Sequence, residues 1–280
     1  MRGLGDVREV AAAEPGWGCG EVEVEVRQVD RPAPADGSLE SGRGVVALGD
    51  GRCLALDRDR GTATFHGPGL TSDVLAHPYL GPAAIVFSRW HGREAFHGGA
   101  YVAGGQAWVL LGPRGAGKSS LLAALAARGG PVVTDDILVT DGSVAYAGPR
   151  CVDLRSVVPG TGSWTYPVRS GTRSRLRLPA VASRTPLGGW LFLRWGEELG
   201  LCPVPATEVL SRLAVRRARR ELPSDPSVLL ALAAKPAWEL IRPRSWGALN
   251  RTCTLLGMLG SAEAVHAYTV HAHTAPGRPV

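Results

Sequence analysis

The sequence predicts an α/β fold built around a phosphate-binding loop and preceded by a β-rich N-terminal region. Three observations predict it. An apolar run, Ala107-Trp108-Val109-Leu110-Leu111, leads straight into Gly112-Pro113-Arg114-Gly115-Ala116-Gly117-Lys118-Ser119, which fits G-x-x-x-x-G-K-[ST] at every fixed position. A helix-forming run, Ser119 to Arg128, follows and stops at Gly129-Gly130. A second apolar run, Pro131-Val132-Val133-Thr134, then ends on Asp135-Asp136. Strand, glycine-rich loop, helix and strand in that order form the context such a loop requires. Lys118 is one of only two lysines in the chain, Lys235 being the other, so its place in the loop is not a by-product of composition.

The remaining elements follow from periodicity and punctuation. Glu21 to Val29 alternates charged and apolar residues, as a strand with one wet face does. Residues 30–43, rich in Pro, Gly, Asp and Ser, read as loop. Short strands are expected at 44–48, 53–57 and 62–65, separated by Gly-Asp-Gly and Asp-Arg-Gly turns. A helix is expected over 78–90, with Tyr79, Ala83, Val86 and Trp90 on one face. Residues 97–112 read as two strands about a Gly104-Gly105 turn. Residues 137–140 and 143–147 read as a hairpin turned by Asp141-Gly142. The arginine-rich stretch 161–179 is expected to be a mobile loop. A core strand is expected at 189–194, with helices at 206–221, 226–234 and 245–260. The tail 271–280 is expected to be frayed. This divides the chain into a β-rich region (1–95) with a substrate, partner or packing role, a loop-bearing domain (96–270) and the tail.

Composition narrows the function classes. The net charge of +6 favours phosphate-bearing or acidic partners in general. No nucleic-acid-binding motif is present, and nucleic acid is not an expected partner. No apolar run is long enough to span a bilayer, and residues 1–14 lack the apolar core of a signal peptide, so a cytoplasmic protein without a membrane partner is expected. Five scattered cysteines with no CxxC pair argue against a zinc site or a disulfide framework.

The loop chemistry points to a nucleoside triphosphate. Gly112, Gly115, Ala116, Gly117, Lys118, Ser119 and Ser120 are the expected binding set: main-chain N–H groups around the phosphates, with the positive end of the helix behind them. Lys118 suits the β- and γ-phosphates, and Ser119 suits a magnesium ion bound to them. If the strand before Asp135-Asp136 runs parallel to 108–111, its carboxyl end lies beside the loop. One carboxylate could then hold magnesium while the other takes a proton from an attacking hydroxyl. A strand histidine such as His97 is, by itself, a structural residue.

Phe96-His97-Gly98-Gly99-Ala100-Tyr101-Val102, then the loop, then Val133-Thr134-Asp135-Asp136-Ile137 together resemble the HPr serine kinase/phosphorylase family. The likeness is greatest to divergent members, including kinases encoded with lasso-peptide and other modified-peptide pathways. Lys118 and Asp135 are 17 residues apart, as suits that family. The resemblance covers about 97 to 155 well and the rest faintly. It implies a P-loop kinase core of the HPr-kinase type, using ATP and Mg²⁺ to phosphorylate a serine hydroxyl of a peptide or protein, a precursor peptide being one expected acceptor. By motif match Asp135 would be the general base and Asp136 a magnesium-side acid. His97 would join Lys118 near the phosphates. Typical members also carry Glu-Ile-Arg-Gly-Leu-Gly. The nearest counterpart here, Val152-Asp153-Leu154-Arg155-Ser156, lacks the glycines. Asp153 is either a substitute magnesium ligand or a strand-end acid paired with Arg155. Relatives assemble into oligomers, which makes a homo-oligomer an expectation of the resemblance alone.

Two other readings use the same residues. Transporter-type ATPases need a Leu-Ser-Gly-Gly signature and a late strand ending Asp-Glu, and neither is present. A non-catalytic nucleotide-binding regulatory protein would keep the loop and use ATP to order the 161–179 stretch around a partner. Arg169, Arg173, Arg175, Arg177 and Arg184 suit either a grip on phosphate or an acidic peptide, or a solvated loop. The run Arg216-Arg217-Ala218-Arg219-Arg220 reads as the wet face of a helix.

Overall fold

The structure is a computed structural model that describes residues 7, 9, 23–34 and 37–259. Cys19, the first two residues of the expected 21–29 strand and the expected tail lie outside them. Strands β1 (Glu25–Val29), β2 (Arg43–Ala47), β3 (Cys53–Asp57) and β4 (Thr62–His66) form a sheet in the order β1-β4-β3-β2. Alternation buries Val24, Val26, Leu54, Leu56, Ala63 and Phe65 on one face. A short turn, α1 (Ser72–Val74), leads through 75–79 into α2 (Leu80–Trp90). Helix α2 starts at Leu80 because His77 has extended backbone, φ −155° and ψ 121°, as a residue before proline prefers. Leu80, Ala83, Val86 and Phe87 close the N-terminal core. On the opposite side of α2, Ile85 packs with Ala95 and Ala218, and buried Arg89 pairs with buried Glu94.

The second and larger sheet has eight strands. β5 (Glu94–Ala103) and β6 (Gln106–Leu111) are followed by α3 (Lys118–Ala126), β7 (Val132–Thr134), β8 (Ile137–Thr140) and β9 (Val144–Tyr146). A separate three-stranded sheet is made by β10 (Cys151–Leu154), β11 (Thr165–Val168) and β12 (Arg173–Arg177). The chain then returns to the large sheet with β13 (Arg184–Trp195), β14 (Gly200–Pro203) and, after α4 (Ala206–Ala214) and α5 (Pro226–Ala233), β15 (Ala237–Arg242). The described chain ends in α6 (Trp246–Gly257) and two further residues. The large sheet runs β14-β15-β13-β6-β5-β8-β9, with β7 also on β5. β6, β13 and β15 are parallel. β5 is antiparallel to β6, β7 and β8, so β7 runs in the direction of β6 with β5 between them.

Burial on both faces explains the apolar runs. Along β6, Trp108 and Leu110 face the core shared with α3 and α6, while Ala107, Val109 and Leu111 face the core under α4 and α5. Leu121, Leu122 and Leu125 anchor α3, each stabilising by about 1.5–3 kcal/mol when fully buried. No helix among the described residues is long and apolar enough to cross a membrane.

Three sequence expectations are corrected. The 161–179 stretch is not a mobile loop. β11 and β12 pair within it, and Arg175, 0% exposed, is held by Asp153 and Glu9 and donates to the Asp73 carbonyl. The 206–221 helix stops at Ala214. Beyond it the chain joins the part of β5 that β6 leaves uncovered: the His97 N–H donates to the Arg216 carbonyl at 3.1 Å, and Phe96 bridges to Arg217. The arginine run is therefore not a wet helical face, since Arg217 donates to buried Glu94 at 3.1 Å. Strands β14 and β15 have no counterpart among the expected elements.

Candidate functional site

The loop between β6 and α3 is held by donors from three directions. Lys118 Nζ donates to the carbonyls of Gly112 (2.8 Å) and Pro113 (3.2 Å). Trp195 Nε1 donates to the Gly115 carbonyl at 3.3 Å, and Arg242 Nη2 donates to the Ala116 carbonyl. Arg242 is buried beneath the Trp195 ring, its guanidinium carbon 4.0 Å from the ring centroid. Burial lowers its pKa to about 10 and leaves it charged at neutral pH. Gly117 has φ +77°, and a Cβ there would lie 2.7 Å from Arg242 Nη2 and 3.1 Å from Trp195. With the carbonyls tied back, the first N–H to bond within α3 is that of Leu121, to Gly117. The preceding N–H groups form an unpaired first turn, the kind of helix start that suits an anion.

The two acids sit where one line of strand is interrupted. β7 pairs with Ala100 and Tyr101 of β5, and β8 pairs with Glu94 to His97 of the same strand. Asp135-Asp136 fills the gap, and Asp136 takes a left-handed conformation with φ 68°, which Asp tolerates better than most residues. Such interruptions re-aim side chains beside active sites. Gly98 and Gly99 lie opposite. A Cβ on Gly99 would meet Leu122 Cδ1 at 2.4 Å and the Thr134 carbonyl at 3.0 Å.

The acids have different surroundings. Ser119 Oγ donates to Asp135 Oδ1 at 3.1 Å. Burial, then the neighbouring Asp136 charge, raises the Asp135 pKa to about 7. Asp136 is also pushed up by burial, but the hydrogen bond from His97 and the charges of His77, His97 and Lys118 outweigh that and leave it low. His97 Nδ1 is 3.2 Å from the Asp136 carbonyl oxygen and 3.5 Å from its Oδ1. That contact raises the His97 pKa. Burial lowers the pKa of Lys118, with both aspartates opposing it.

A cleft of about 930 Å³ opens over these groups. Gly112, Gly115, Gly117, Lys118, Ser119, Ser120, His97, Asp136 and Asp153 all line it. Ala116 and Asp135 stand behind its wall, Asp135 reaching it through Ser119. Asp153 reaches the cleft with both oxygens engaged, by Arg175 (2.6 and 3.0 Å) and Arg169 (2.9 Å). Its ion-pair partners are therefore these two residues and not Arg155.

Among the lining residues that the sequence does not single out are His77, Trp195, Arg242 and Trp246. His77 comes from the N-terminal region and carries an imidazole whose pKa burial lowers. Trp195 and Arg242 end β13 and β15, parallel strands whose carboxyl ends open beside the loop. The short run 237–242, apolar but for Glu239 and Arg242 and set between two prolines, is the available signal for Arg242. Oxygen donors suit magnesium, which takes one or two carboxylates plus phosphate oxygens, and Ser119 with Asp135 fits that requirement. Among the described residues no three His, Cys, Asp or Glu side chains cluster as a self-sufficient metal site.

Comparison of the sequence with protein-family models gives no match, and comparison with characterised proteins gives none. Among solved structures, the Hpr(Ser) kinase/phosphatase from Coxiella burnetii is similar at a TM-score of 0.32 and 12% identity, over 62% of this chain and 98% of that one. This is a weak likeness to a kinase/phosphatase, and the chemistry of the site rests on its own residues.

Proposed function

We propose that this chain is an ATP-dependent kinase that transfers the γ-phosphoryl group to a serine hydroxyl of a peptide or protein. The observation that carries the reading is the Ser119–Asp135 hydrogen bond at 3.1 Å, which joins the phosphate loop to the acid pair. Lys118 and the first-turn N–H groups bind the β- and γ-phosphates and stabilise charge as it spreads in the transition state. Magnesium, when bound, neutralises phosphate oxygens; Ser119 and Asp135 would hold it.

The surroundings favour a division of labour different from the motif match. Asp135 is buried behind Ser119, on the magnesium side. Asp136 faces the cleft, kept ionised by His97, and is the better placed proton acceptor, since geometry ranks before pKa in choosing a base. The acceptor oxygen attacks the γ-phosphorus, its proton passes to the Asp136 carboxylate, and the bond from phosphorus to the β-phosphate bridging oxygen breaks to release ADP.

The test is incubation with ATP, Mg²⁺ and candidate serine peptides, read by mass, beside nucleotide affinity from a fluorescent ATP analogue. Asp136→Asn should abolish transfer with nucleotide affinity kept, whereas Asp135→Asn should remove the magnesium dependence of binding. The reverse pattern returns the base role to Asp135. No nucleotide binding in the unsubstituted protein sinks the kinase reading altogether.

A further inference from the structure

The cleft carries far more positive charge than a nucleotide can use. Nine arginines and one lysine line it against two aspartates. A triphosphate with its magnesium ion neutralises only a minority of them. Several have other duties: Arg169 pairs with Asp153, Arg217 with Glu94, and Arg242 supports the loop. Arg155, Arg173 and Arg216 do not. Among the described residues none of the three has an ion-pair partner, and the one hydrogen bond from an Arg173 guanidinium goes to the adjacent Thr172 carbonyl at 3.0 Å.

Their placement is unfavourable without an anion. β10 and β12 are antiparallel with Asp153 opposite Arg175 and Leu154 opposite Ser174. One step past the end of β10 the same register would bring Arg155 opposite Arg173, and like charges facing each other across a strand pair destabilise a sheet. Arg216 enters the same cleft from beside His97, close enough to lower the Lys118 pKa. The only indole or phenyl rings among the described lining residues, Trp195 and Trp246, belong to the end of β13 and the start of α6. Among the described lining residues only Trp195, already stacked over Arg242, and Trp246 could take a nucleic-acid base, while guanidinium forks match carboxylates.

We propose that the acceptor is an acidic peptide segment whose carboxylates, next to the reacting serine, bridge Arg155 and Arg173 and meet Arg216. This deepens the kinase reading and rests on it. The probe is a fluorescein-labelled peptide with one serine flanked by glutamates, with its glutamine counterpart and an equally charged single-stranded oligodeoxynucleotide as comparators. Binding is read by anisotropy in the presence of a non-hydrolysable ATP analogue and Mg²⁺. The glutamate peptide should bind roughly tenfold or more tightly than the glutamine peptide. Arg155→Gln/Arg173→Gln should erase that preference while affinity for the labelled nucleotide is unchanged, and Arg216→Gln alone should reduce it. Equal binding of the two peptides, an undiminished preference in the double variant, or tighter binding of the oligonucleotide overturns the proposal. So does displacement of the peptide by inorganic phosphate well beyond chloride at equal ionic strength, which would assign the arginines to free phosphate. Loss of nucleotide binding in the unsubstituted protein would instead be failure of the kinase reading.

Discussion

Replacing Asp135 with Asn should stabilise the nucleotide-free protein, and the gain should depend on pH. A carboxyl ordinarily titrating near 3.8 is raised to about 7 here, chiefly by burial. The folded protein therefore holds this proton more tightly than the unfolded chain does. Its contribution to stability falls as pH rises from about 4 and reaches its full cost above about 7. That cost is about 4 kcal/mol at pH 8 and under about 2 kcal/mol at pH 5. Asparagine keeps an oxygen to accept from Ser119 and cannot ionise. Urea unfolding of the two proteins should show nearly equal stability at pH 4 and a widening advantage for Asp135→Asn toward pH 8. By thermal melting the advantage at pH 8 should be roughly 8 °C at about 2 °C per kcal/mol. Because the Asp136 charge adds to the shift, Asp136→Asn should shrink the same pH dependence. A gain that is constant across pH, or a loss at pH 8, would refute the reasoning.

Gly99→Ala should destabilise by about 1–3 kcal/mol in urea unfolding, because the new methyl meets Leu122 and the Thr134 carbonyl in a packed region; it should also weaken nucleotide binding by displacing α3. Glu94→Gln leaves the Arg89 and Arg217 guanidiniums without their shared carboxylate, and should cost about 3–5 kcal/mol in the same assay. Lys118→Ala should weaken the labelled nucleotide at least about tenfold by removing a charge-assisted phosphate contact, with little change in the melting temperature.

The parts of the fold legible in the sequence are those set by neighbours in the chain. The loop, its flanking strand and helix, and the acid pair all lie within 106–136, and β6 follows from its apolar run. The rest depends on distant partners. Arg175 is buried because Asp153 and Glu9 meet it from other elements, whereas a stretch of arginine, serine and glycine reads locally as solvated. The run at 216–220 reads as helix by spacing, but the uncovered stretch of β5 captures the backbone of Arg216 to Ala218. β14 and β15 are four and six residues long, too short for periodicity to tell strand from helix. Asp135-Asp136 reads as a strand end; that the strand resumes along the same partner is visible only in the β5 pairing.

Gly98 is a common datum for both halves of the site. It pairs with Leu111, the last residue before the loop, and its N–H donates to the Asp136 carbonyl at 3.0 Å. The spacing between loop and acids is thus gauged by a single peptide unit in the middle of a sheet. A ligand entering the cleft cannot change that spacing without breaking the ladder. The 215–218 backbone is bonded to the same strand, so any closure over the cleft falls to the β10–β12 side, with the floor acting as a fixed anvil.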